Sequence, residues 1–137
     1  MSDPTILHTE PVPVRWGDMD ALGHVNNARY FTYAEQARIA WLATLFPDGG
    51  LGGEDSSGGP ILARISADYR APVHHPVTVS VEVLAGDLGR TSMQQGYRLR
   101  VDGQTVCEME ATIVWMSAET GRPTPLPQRI RDAVEGA

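Results

Sequence analysis

The chain has 137 residues, 42% hydrophobic and 20% charged, with a formal net charge of -6; this is the composition of one folded domain and excludes a disordered chain. The acidic balance excludes a nucleic-acid binder that works through net positive charge, and no apolar run approaches the roughly 20 residues of a membrane span. The lone Cys107 excludes a disulfide framework and a cysteine-built zinc cage.

Residues 12–16 (VPVRW) put Val12, Val14 and Trp16 on one face and read as a short strand. Pro11 and Pro13 each remove a backbone donor, so this strand belongs at a sheet edge. Residues 28–46 contain no Gly or Pro and form the one long helical candidate. Apolar side chains such as Tyr30, Phe31, Tyr33, Ala37, Trp41 and Leu45 spread around most of its wheel, which predicts a buried helix. Residues 47–60 then hold six Gly and two Pro and read as a loop. It is either a plain connection or a lid at a pocket rim, and both readings stand at this level.

Four alternating series follow. Ile61, Ala63, Ile65, Ala67 and Tyr69 form the first, and Val77, Val79, Val81 and Val83 the second. The third is Met93, Gln95, Tyr97, Leu99 and Val101, and the fourth Cys107, Met109, Ala111, Ile113 and Trp115. A period of two is that of a half-buried antiparallel strand. Asp102-Gly103 marks a hairpin between the last two. The Val77–Val83 strand lacks prolines and is expected to leave an open edge that invites association. Residues 129–137 predict a short terminal helix. The order is that of an α+β domain, with a five-stranded antiparallel sheet curled around one long buried helix. A single domain over 1–137 is expected, with its core at about 10–117 and an extension at 118–137. The N-terminal stretch has no basic start and no apolar core, so no signal peptide is visible and a cytoplasmic location is expected.

Chemical groups concentrate in GDMDALGHVNNARY, residues 17–30, between the first strand and the helix. Asp18, Asp20, Asn26 and Asn27 each suit a turn or a helix cap when taken singly. Together, directly before a helix, they look like a site. A helix N-terminus offers unpaired N–H groups that stabilise an oxyanion, and a nearby carboxylate can serve as nucleophile or general base. That pairing suits acyl transfer.

The run V-R-W-G-D-M-D-A-L-G-H-V-N-N-A-R-Y-F-T-Y-A-E-Q-A-R, residues 14–38, resembles the signature of the hotdog-fold acyl-CoA thioesterases, in particular the 4-hydroxybenzoyl-CoA thioesterase-like group. The resemblance implies hydrolysis of an acyl-CoA to the free acid and coenzyme A, with no cofactor and no metal. It implies a homodimer or dimer-of-dimers tetramer paired through sheet edges. It places the catalytic carboxylate on Asp20 and the backbone oxyanion donor on Asn27, with His24 beside them. Gly23, Asn26 and Tyr30 fall in the substrate-binding part of the motif. Arg90, Thr91 and Ser92 fall where the family contacts the phosphates of coenzyme A.

Other residues compete for these roles. Glu35 on the helix is a reserve carboxylate, with a plain pairing to Arg38 as its bland reading. Asp18 reads as a structural acceptor. His74 and His75 read as exposed turn residues, and Cys107 as core filling. Asp18, Asp20 and His24 are the only nominal metal ligands in the stretch. A hydratase or dehydratase using Asp20 with His24, and a non-catalytic acyl-thioester-binding module, are the alternative functions.

Overall fold

A computed structural model describes residues 3–48 and 58–137. Strand β1 (Ile6–Pro13) leads through a 3-10 turn (Trp16–Asp18) to helix α1 (Arg29–Leu45). Strands β2 (Gly59–Tyr69), β3 (Thr78–Leu88), β4 (Ser92–Val101) and β5 (Gln104–Met116) follow, and helix α2 (Gln128–Glu135) closes the chain. The five strands form one antiparallel sheet in the order β1-β3-β4-β5-β2. This is the hotdog architecture expected from the sequence.

Period-two alternation fixes which sheet face meets the helix. One row across the sheet runs Val83, Tyr97, Met109 and Ala67, and the next runs Val81, Leu99, Cys107 and Tyr69. The β3, β4 and β5 members of both rows are buried. Charged residues such as Glu82, Arg98 and Glu108 occupy the alternate positions, with Arg98 Nε donating to the Glu82 carboxylate. Asp102 and Gly103 both take positive φ, 50° and 79°, as the tight β4–β5 hairpin requires.

Several expectations are corrected. The first strand is Ile6–Pro13 rather than 12–16, and Trp16 is 80% exposed instead of facing inward. The cause is Asp18, whose carboxylate takes the Arg15 N–H at 3.0 Å and bends the chain into the 3-10 turn. The Val77–Val83 segment is not an edge. It belongs to β3, which lies between β1 and β4, and Val79, Val81 and Val83 are wholly buried. The two sheet edges are β1, with Pro11 and Pro13, and β2. Helix α1 buries one stripe, Tyr30, Tyr33, Ala34, Ala37, Trp41 and Leu42, while Glu35, Gln36 and Ile39 face outward within the single chain.

The segment after residue 117 belongs to the packing. Leu126 and Ile130 are buried in the core. Arg129 donates to the Leu45 carbonyl at 3.2 Å and its guanidinium lies 5.5 Å from the Phe46 ring centroid, closing the C-terminal end of α1. Arg131 donates to the carbonyls of Gly89 and Arg90, holding the β3–β4 turn. The lid reading of residues 47–60 falls mostly on 49–57, which lie outside the described residues. No helix among the described residues is long and apolar enough to cross a membrane.

Candidate active site

The stretch between β1 and α1 is built on Asp18. Its buried carboxylate accepts from the Arg15 backbone N–H, from Arg15 Nε and Nη2, and from the Tyr33 hydroxyl at 2.7 Å. Burial pushes this carboxyl up, but the hydrogen bonds from Arg15 and Tyr33 outweigh it and hold it below the usual carboxylate range. The Asp18 carbonyl in turn accepts from Asn26 N–H at 2.9 Å. Asp18 therefore ties the turn, the loop and α1 together, the structural role read from the sequence.

Asp20 is placed differently. It opens a tight loop in which its N–H donates to the His24 carbonyl at 2.8 Å, and Gly23 N–H donates to its own carbonyl at 3.2 Å. Gly23 has φ +82°, which a residue with a Cβ resists. Asp20 Oδ1 accepts from Leu22 N–H at 2.9 Å and, more weakly, from His24 N–H at 3.4 Å. Its second oxygen accepts no hydrogen bond among the described residues. One oxygen is oriented by backbone and the other is open to a reacting group.

The start of α1 completes the constellation. Asn26 Oδ1 accepts from Ala28 N–H at 2.9 Å, an Asx turn that leads into the helix. Asn27 N–H donates no hydrogen bond among the described residues, while its carbonyl accepts from the Tyr69 hydroxyl at 2.7 Å. Tyr30 is buried, with its ring 5.0 Å from that of Tyr69. The structure thus joins Asp20, Gly23 and His24 in one loop, which runs through Asn26 and Asn27 into α1 and Tyr30. The His24 imidazole makes no hydrogen bond to Asp20; its ring packs edge-on against His74 at 4.8 Å.

Arg90, Thr91 and Ser92 are not part of this cluster within one chain. Arg90 and Thr91 lie in the β3–β4 turn and Ser92 opens β4, reached only after the 11 residues of β3, about 35 Å of strand. Glu35 is exposed, two turns along α1, with a loose 3.8 Å contact to the buried Arg38. Cys107 is buried, and burial, then Asp68 and Glu108, push its thiol up to about 11, so it carries no thiolate at neutral pH. Among the described residues no three His, Cys, Asp or Glu side chains converge as metal ligands. Sequence reasoning missed Tyr69, Tyr33 and Arg15 as supports of the site. Tyr69 meets Asn27 across 42 residues, and no local pattern announces such a contact.

A family model, the Thioesterase-like superfamily, matches residues 14–134. The 1,4-dihydroxy-2-naphthoyl-CoA hydrolase of Synechococcus elongatus is 29% identical over 122 residues, covering 87% of this chain and 88% of that protein. The PA2801 protein from Pseudomonas aeruginosa superposes with a TM-score of 0.86 at 43% identity, covering 95% of this chain and 99% of that one. A thioesterase from Thermus thermophilus, solved with coenzyme A and Zn, gives 0.76 at 31% identity, covering 96% and 93%. Fold, motif and relatives agree: the chain belongs to the thioesterase-like superfamily and is a thioester hydrolase of the hotdog fold.

Proposed function

We propose that this hydrolase cleaves an acyl-CoA to the free acid and coenzyme A, with Asp20 as its catalytic carboxylate. The observation that carries the reading is the asymmetry of Asp20: one oxygen is held by two backbone N–H groups, the other is free, and the unpaired Asn27 N–H stands at the start of α1 in the same cluster. The free oxygen either attacks the thioester carbonyl, giving an acyl–enzyme anhydride that water then opens, or takes a proton from the attacking water. In both routes the carbonyl oxygen gains charge and the Asn27 N–H stabilises it. The thiolate leaves as coenzyme A after taking up a proton. His24 contributes its backbone N–H to Asp20, and Gly23, Asn26 and Tyr30 shape the wall around the thioester.

Arg90, Thr91 and Ser92 are proposed to meet the phosphates of coenzyme A. Their distance from Asp20 in the same chain means that they serve the Asp20 of another copy, in a homodimer or a dimer of dimers. A coenzyme A substrate suits a cytoplasmic enzyme. The hydratase alternative requires a carboxylate paired with an imidazole, and here the His24 ring rests on His74 instead.

The test is release of free thiol from a panel of acyl-CoAs with short, long and aromatic acyl groups, 1,4-dihydroxy-2-naphthoyl-CoA included. Asp20→Asn keeps size and removes the anion, so turnover on the best substrate falls by about a thousandfold or more while melting stays near wild type. Full turnover by Asp20→Asn removes Asp20 from the chemistry.

A further inference from the structure

One peptide unit of the Asp20 loop, that between Gly23 and His24, is engaged on both sides. Its N–H donates to Asp20 Oδ1 at 3.4 Å, and its carbonyl faces His74 Nδ1 at 3.0 Å. The sequence offers no reason to connect His74 with the loop, since the two lie 51 residues apart. The fold brings them together because Val25 N–H donates to the Val73 carbonyl at 2.8 Å, which sets the β2–β3 connection beside the loop. The His74 ring also meets the His24 ring at 4.8 Å.

We infer that His74 is a positioning residue, holding the Gly23–His24 peptide by its carbonyl so that the opposite N–H stays aimed at Asp20. The inference rests on the role proposed above for Asp20. The physical need is clear in the loop itself. A peptide that follows glycine rotates at little cost, because no Cβ restricts the ψ of Gly23. Rotation by half a turn would withdraw the His24 N–H from the carboxylate and present a carbonyl oxygen to it, a repulsive contact. The other links in the loop, Asp20 N–H to the His24 carbonyl, Gly23 N–H to the Asp20 carbonyl and Leu22 N–H to Asp20 Oδ1, belong to other peptides and do not prevent this rotation. A donor on the Gly23 carbonyl does prevent it. It also polarises the amide, which strengthens the N–H that Asp20 receives.

A carbonyl only accepts, so the Nδ1 that faces it carries the proton. The neutral ring is then the Nδ1–H tautomer, and the charged ring donates from the same atom. The contact is thus defined by the position of one donor atom, which gives the test its sharpness. The side-chain amide nitrogen of asparagine lies where Nδ1 lies, whereas that of glutamine reaches the place of Nε2.

The experiment measures kcat and KM on the best acyl-CoA, and the melting temperature, for His74→Ala, His74→Gln and His74→Asn. Expected are a kcat lowered about 10- to 100-fold for the Ala and Gln variants with KM within about twofold of wild type. His74→Asn recovers most of the kcat, and all three variants melt within a few degrees of wild type. The inference is overturned if His74→Ala or His74→Gln keeps wild-type kcat, if His74→Asn falls with them, or if the loss appears in KM or tracks the melting temperature. Asp20→Asn, measured alongside, separates the two readings. Retained turnover in Asp20→Asn brings down the proposed catalytic role and this inference together. Abolished turnover in Asp20→Asn beside a silent His74→Ala overturns this inference alone.

Discussion

Two carboxylates two residues apart have opposite surroundings, and that difference supports a structural role for Asp18 and the catalytic role proposed for Asp20. Asp18 is buried and its oxygens are filled by Arg15 and Tyr33, with Arg29 Nε a further 3.9 Å contact. Asp20 is only half-buried and keeps one oxygen open. A filled carboxylate holds structure, and an open one is available to a substrate. Asp18→Asn should therefore lower stability by about 2 kcal/mol, since it weakens the hydrogen bonds that Arg15 and Tyr33 donate to a buried carboxylate. The sign of its pH dependence follows from the depressed pKa. Asp18 stabilises the fold fully above its unfolded value of about 3.9, and that contribution is lost as pH falls through the lower folded value. Thermal melts of wild type and Asp18→Asn between pH 7 and 3 check this. Their gap should be widest near neutrality and close in acid. A gap that does not change with pH would mean that the charge of Asp18 is not what stabilises the turn.

Among the elements, α2 makes a small contact area do several jobs. Ile130 is wholly buried, while Arg129 caps α1 and Arg131 grips the β3–β4 turn. Ile130→Ala should cost about 3 kcal/mol and lower the melting temperature by about 10 °C. A shift near zero would show that α2 is a passenger on the core. The sequence makes α2 legible as a helix but not as a clamp, because its partners, such as Leu45 and Gly89, lie far back in the chain. The same division runs through the whole fold. The alternation in β3, β4 and β5 and the Asp102-Gly103 turn are local signals, and they are readable. The order of strands in the sheet is not local, so the valine-rich β3 looks like an edge in the sequence and sits between β1 and β4 in the fold. Trp16 fits a strand by its spacing, while the side chain of Asp18, two residues later, decides otherwise. Within the site, the loop 18–30 is readable as a motif. Tyr69 and His74 are not, since both reach it from distant sequence, at and beyond the end of β2.

At the scale of the whole molecule, the β2 edge is unfinished. An edge strand leaves a row of unpaired N–H and C=O groups, and natural proteins blunt it with proline, charge or a cover. β1 does so with Pro11 and Pro13. β2 carries Pro60, Arg64 and Asp68 but still exposes Ile61 at 54%, Leu62 at 41% and Tyr69 at 43%. Elsewhere on the surface, the outward face of α1 exposes Ile39 at 45%. A second copy paired along β2 would satisfy the strand and cover its exposed side chains. The edge is joined to the chemistry, because its last residue, Tyr69, holds the Asn27 carbonyl. Pairing β2 would therefore also stiffen the segment that carries Asn27, the oxyanion donor proposed above. Light scattering at micromolar concentration should give at least twice the chain mass of 14.9 kDa. Ile61→Lys combined with Leu62→Lys places like charges on a surface already exposed in the single chain, so the fold should survive while the pair separates. Circular dichroism should stay unchanged, the scattering mass should halve, and thiol release should fall with it. A wild-type chain that scatters as a monomer and hydrolyses at full rate would mean that a single chain holds a complete site, and that another group must then meet the coenzyme A phosphates in place of Arg90.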